Sequence, residues 1–216
     1  MQGWYTLSMI SIGIFGGTFD PPHIGHLILA AEAQNEFKLD RLLWVLTSDP
    51  PHKKNKVVTS LSHRLAMVKL ALEDSSGFEL SRVDIDRPEP YYAVDTVRII
   101  ASQYPDARLT YLMGGDSLRD LPAWHNPAEF VDACDAIGVL RRPGDAIDLP
   151  MLETRILGIT KKILFMNAPL LDIAAHDIRN RVATNRPFRY YLPAKVYAYI
   201  IGKSLYRDTG NGMEAS

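Results

Sequence analysis

The feature that most constrains the fold is an alternation, kept up along the chain, of short apolar runs with segments of helical period. The runs cover 10–15, 41–46, 78–85, 109–113, 136–140 and 163–166, and each is four to eight residues long, as buried strands are. Between them, residues 24–37 place Leu27, Ala30, Ala31, Ala33, Gln34 and Phe37 at near-helical spacing. Ser62 reads as the N-cap of a helix carrying Leu65, Met67, Val68, Leu70 and Ala71. Helical patterns follow at 93–104, 127–133, 178–183 and 193–201. Strands alternating with helices predict an α/β fold, a doubly wound and mostly parallel sheet with a small helical part at the C-terminal end. In such sheets ligands lie outside the carboxyl ends of the strands, where the strand order reverses.

Composition narrows the function classes. The 216 residues suit one domain, read here as 9–207, and 47% apolar residues suffice for a full core. A net charge of −1 offers no basic footprint for nucleic acid, so local cations must serve a small anionic ligand. The single cysteine, Cys134, excludes an internal disulfide and suits a reducing, cytoplasmic setting. The first residues lack the positive flank and the long apolar run of a signal peptide or membrane span. Met9 stands directly before the first strand, so 1–8 read as an N-terminal extension, and the small, polar 208–216 as a disordered tail.

The chemistry concentrates in the string from Gly16 to His26, which runs Gly-Gly-Thr-Phe-Asp-Pro-Pro-His-Ile-Gly-His. Gly16 and Gly17 admit a ligand close to the backbone, and Thr18 adds a hydroxyl at the mouth of the turn. Pro21 and Pro22 stiffen the approach to a helix whose N-terminal amides favour an anion. His23 and His26, three residues apart, can face one spot from the first turn of that helix. Together these parts form an anion cradle. It lacks the Gly-Lys-Ser/Thr ending of a Walker loop and the Gly-x-Gly-x-x-Gly of a dehydrogenase. Taken singly, the glycines fit a plain turn, and the histidines fit a metal pair or a core histidine bonded to a carbonyl.

The whole string resembles the T/HxGH signature of the nucleotidylyltransferase superfamily. With His23 at its first position, it is most similar to the bacterial nicotinate-nucleotide adenylyltransferase family. Pro51-His52-Lys53, Val94-Asp95-Thr96, Gly114-Gly115-Asp116 with Trp124, Arg142-Pro143-Gly144, Asp177-Ile178-Arg179 and Tyr191-Leu192-Pro193 with Val196 and Tyr199 extend the match over most of the chain. The resemblance implies a Rossmann-like nucleotidylyltransferase fold. It also implies adenylyl transfer from ATP to nicotinate mononucleotide, giving nicotinate adenine dinucleotide and pyrophosphate in NAD biosynthesis. His23 and His26 are then catalytic. Gly16, Gly17, Thr18, Phe19, Lys53, His176 and Arg179 hold the ATP phosphates, and Thr96, Asp116, Trp124 and His125 receive the nicotinate nucleotide. Mg2+ is implied, carried mainly by ATP phosphates and water rather than by protein ligands. The partners are these two nucleotides, with no nucleic acid or membrane, and a homo-oligomer is left open. The alternatives are another superfamily transferase, such as phosphopantetheine adenylyltransferase, or an inactive nucleotide-binding paralogue.

One departure from the family pattern stands before Asp177. Where the family carries Ile-Ser-Ser/Ala-Thr, this chain has Ile173-Ala174-Ala175-His176. The hydroxyl donors are gone, the helix-terminal amides remain, and His176 is the candidate replacement donor. Arg179 remains for the β- or γ-phosphate.

Overall fold

The computed structural model describes residues 9–48, 59–141, 146–169 and 171–207. Lys53, the 51–53 and 142–144 matches, and the proposed extension and tail lie outside them.

The strands among the described residues are β1 (Ile10–Gly17), β2 (Arg41–Leu46), β3 (Phe78–Ser81), β4 (Ala107–Gly114), β5 (Ala136–Leu140) and β6 (Ile163–Met166). All six are parallel and form one sheet in the order β3-β2-β1-β4-β5-β6. The helices are α1 (Ile24–Glu36), α2 (Leu61–Leu72), α3 (Ala93–Gln103), α4 (Gly115–Asp120), α5 (Pro127–Ala133), α6 (Leu149–Arg155), α7 (Ala175–Ala183) and α8 (Ala194–Gly202). β1 pairs with β2 on one side and β4 on the other, so the order reverses there, and the cleft opens beyond Gly17 and Gly114.

β2 shows why the strand runs are continuously apolar. Leu42, Trp44 and Leu46 enter one core with Ala30 and Ala33 of α1 and Val68 and Leu72 of α2. Leu43 and Val45 enter the opposite core with Val94, Val97 and Ile100 of α3 and Phe130 of α5. Both faces are covered, so polar alternation has no place. Each fully buried side chain of this size contributes about 1.5–3 kcal/mol. α2 also turns Met67 and Ala71 outward, onto Ile178, Val182, Leu192, Val196 and Ile200 of the C-terminal helices. This third cluster fixes the helical part against the doubly wound body.

Three of the boundaries that differ from the sequence reading have a local cause. β3 stops at Ser81 rather than 85, because Ile85 and Asp86 donate back to the Arg82 carbonyl while Arg82 pairs with Asp86 at 2.6 Å. α2 is preceded by Ser60, whose carbonyl accepts from Arg64 N; Ser62 lies inside the first turn. α7 begins at Ala175, three residues early, with the Ala174 carbonyl accepting from Ile178 N. Among the described residues, no helix is long and apolar enough to cross a membrane.

Candidate functional site

β1 delivers the chain to the cleft, and the next six residues are held from several sides. Phe19 takes the left-handed conformation, φ 46°, which sends its ring back under the turn into the core, 2% exposed. A Cβ on Gly17 would lie 2.7 Å from that ring, so this glycine makes room for Phe19 as well as edging the cleft. Phe19, expected at the phosphates, therefore supports the site from below: its ring stands edge-on to His26 at 5.1 Å. Phe15 and Trp44 complete the aromatic bed.

Asp20 is buried and gathers distant parts of the chain. Its carboxylate accepts from Thr59 N at 3.1 Å and from the Tyr206 hydroxyl at 2.7 Å, and its carbonyl accepts from Arg179 Nη1 at 2.7 Å. Burial and the adjacent Asp20 charge push the Tyr206 phenol up, so it stays a donor. Arg64, also buried, spans the next gap. It donates to the carbonyls of Thr18, Thr47, Ser48 and Thr59, tying the turn after β1 to both ends of the β2–α2 connection.

His23 is the N-cap residue of α1, and its backbone N–H donates to His26 Nδ1 at 3.2 Å. The two imidazoles stack at 3.7 Å. Burial lowers the His23 pKa to about 4, so the ring is neutral at ordinary pH. A Cβ at Gly25 would sit 3.1 Å from His23 Nδ1; glycine lets the ring fold over the helix start.

Two spaces open at the carboxyl ends of the strands. The larger, about 810 Å³, is lined by Gly17, Thr18, His23 and His26, with the start of α7 (Ala174 and Ala175) on its far side. The N-termini of α1 and α7 both open on it, and Arg141, its guanidinium 4.7 Å over the Phe165 ring, adds a cation. The smaller, about 220 Å³, is lined by Gly16, Tyr111, Trp124 and apolar residues of both cores. His26 and Asp116 line both spaces, so the two meet there. Asp116 lies in the first turn of α4, its Oδ1 accepting from Ser117 N at 2.9 Å.

The remaining expected residues stand further off. Thr96 is 3% exposed; its hydroxyl donates to Asp84 at 2.7 Å inside a network with Arg87 and Tyr92, and so is spent within the protein. His125 stacks on Tyr92 at 3.9 Å and is not part of either wall. Nor is His176, whose side chain is 73% exposed and 3.3 Å from Asp177. Arg179 reaches the site through Asp20. Arg141, Tyr111, Arg64 and Tyr206 were given no role by sequence. Nothing local marks them, because their partners are remote in the chain.

Comparison with known proteins bears on the family and the fold. The cytidylyltransferase-like family model matches residues 14–181. A protein of Thermomicrobium roseum named "probable nicotinate-nucleotide adenylyltransferase" is 44% identical over 199 residues, covering 92% of each chain. The nicotinate-nucleotide adenylyltransferase of Bacillus subtilis is 36% identical over 93% of this chain and all of its own. Among solved structures, the nicotinic acid mononucleotide adenylyltransferase of Plasmodium falciparum complexed with NaAD superposes with a TM-score of 0.75. It is 20% identical and covers 91% of this chain and 97% of its own, a likeness of fold.

Proposed function

The chain belongs to the cytidylyltransferase-like family, and within it to the nicotinate-nucleotide adenylyltransferases; from that premise we propose that it joins the adenylyl group of ATP to nicotinate mononucleotide, releasing pyrophosphate. The observation that carries the reading is the placing of His26 and Asp116 where the two spaces meet. One space then takes the triphosphate and the other the pyridine nucleotide, and the bond changes hands between them. We take residues 9–207 as a single domain for this reaction.

In this mechanism an oxygen of the mononucleotide phosphate attacks the α-phosphorus of ATP in line. A new P–O bond forms as the α–β bridging P–O bond breaks, and its electron pair leaves on pyrophosphate. The attacking phosphate is already anionic, so the site needs alignment and charge stabilisation rather than a base. His26 accepts from His23 N through Nδ1, which puts its proton on Nε2, the nitrogen that would donate to the leaving oxygens. Neutral His23, Thr18 and the amides at the starts of α1 and α7 hold the remaining phosphate oxygens. Arg179 and Lys53 add positive charge there. Trp124 offers a face to the pyridine ring, Asp116 accepts from a ribose hydroxyl, and Thr96 of α3 and His125, just before α5, stand behind that side of the site.

Among the described residues no cluster of His, Cys, Asp or Glu could hold a metal ion. We take magnesium to be carried by phosphate oxygens and water rather than by protein ligands. When bound, it offsets phosphate charge.

The direct test is pyrophosphate release from ATP with nicotinate mononucleotide, run beside the amide nucleotide. Release with the acid is expected, and no release with either sinks the proposal. A second measurement concerns the α7 start. His176→Ala is expected to raise the ATP KM about three-fold, the loss of one exposed donor. An unchanged KM would leave the phosphates there to backbone amides alone.

A further inference from the structure

The small recess is bordered by a hydroxyl that has no hydrogen-bond partner among the described residues. Tyr111 lies in β4 between Ile14 of β1 and Ile137 of β5, and its ring is pinned edge-on by Phe130 at 4.9 Å and Trp124 at 6.4 Å. With the ring fixed, the hydroxyl reaches the carboxyl end of β1: a Cβ on Gly16 would sit 3.1 Å from Oη. Tyr111, Gly16 and Trp124 all line the recess. Among the described residues no hydrogen bond reaches this hydroxyl, although its ring packs against the core. Burial, with Cys134 and Asp84 nearby, pushes the phenol pKa up, so the group keeps its proton. Phenylalanine would fill the same volume without presenting a donor. The hydroxyl borders the recess, where an acceptor on a ligand can take the place of water as its partner.

We propose that Tyr111 is a substrate contact and a determinant of affinity for the pyridine nucleotide, its hydroxyl donating to an oxygen of the nucleotide whose ring lies on Trp124. The inference rests on the reading of the recess as the pyridine-nucleotide side. The recess suits a single flat ring better than a nucleoside triphosphate, for which the larger space and its two helix starts are the better match. The hydroxyl is a donor of fixed direction on a strand, not a loop, so it discriminates by position.

The test is Tyr111→Phe in the full chain. The KM for nicotinate mononucleotide rises roughly ten-fold. The ATP KM stays within about two-fold and the melting temperature is unmoved, because no protein hydrogen bond is lost. A larger rise for the acid than for the amide nucleotide places the acceptor on the ring carboxylate; equal rises place it on the ribose or phosphate. Both support the contact. An unchanged KM for both nucleotides overturns it, as does a fall in melting temperature that accounts for the loss. Calorimetric titration of nicotinate mononucleotide into the variant checks the same point without turnover. A wild type inactive with both nucleotides would instead remove the functional reading and the proposal with it, whereas an active wild type with an indifferent variant removes the proposal alone.

Discussion

Substituting His26 by alanine is expected to lower kcat for pyrophosphate release by about 10²–10³-fold, the usual effect of deleting one oriented donor to a developing charge. The magnitude follows from how little freedom this ring has. Its Nδ1 accepts from His23 N, one face stacks on His23 at 3.7 Å, and Phe15 and Phe19 stand edge-on to it. The orientation is fixed before substrate arrives, so little is spent on ordering it during the reaction. The same interactions contribute only modestly to folding, about 1 kcal/mol for the lost hydrogen bond. Steady-state kinetics paired with a melting curve separate the two effects. A variant that folds and turns over at the wild-type rate would exclude His26 from the chemistry.

The largest effect on stability is expected at Arg64. Its guanidinium is 2% exposed and serves four carbonyls at 2.6–3.1 Å, so Arg64→Met leaves four acceptors to find new partners in one step. At about 1–3 kcal/mol for each buried acceptor left unpaired, a loss above about 3 kcal/mol is expected even with partial hydration. Lysine is not expected to restore it, since one ammonium cannot reproduce a planar fork bonding on three sides. The ATP KM rises as well, because Thr18, one of the four, lines the larger space. Urea unfolding with an unchanged slope measures the change. A loss below about 1 kcal/mol would mean that water replaces the guanidinium.

The fold was legible where the signal is local. β2 and β5 have the boundaries their apolar runs predict, because a strand covered on both faces must be apolar throughout; the boundaries of β6 and α5 match as well. The six-residue α4 has no periodic signal of its own: its first residues, Gly-Asp-Ser, favour turns, and Leu118 packs it into the core. In the site, His23 and His26 could be paired from their spacing, since three residues on one helix turn are neighbours whatever surrounds them. Phe19 could not be placed. Its position in the string suggested the phosphates, but a left-handed backbone and an aromatic bed formed by β1 and β2 decide where its ring goes. Thr96 is similar: the hydroxyl is where the motif puts it, yet Asp84, twelve residues earlier, takes it. Hydrophobic period carries no information about which remote polar group a side chain meets.

The bond from Tyr206 to Asp20 bears on when the site exists during synthesis. It joins groups 186 residues apart, across nearly the whole described chain. A ribosome that has exposed residues only through 193 has released every strand and both histidines. It still withholds the last helix and the tyrosine that closes the loop before them. On that order of events the sheet forms early, and the turn that holds the phosphates takes its final support only as residue 206 clears the exit tunnel.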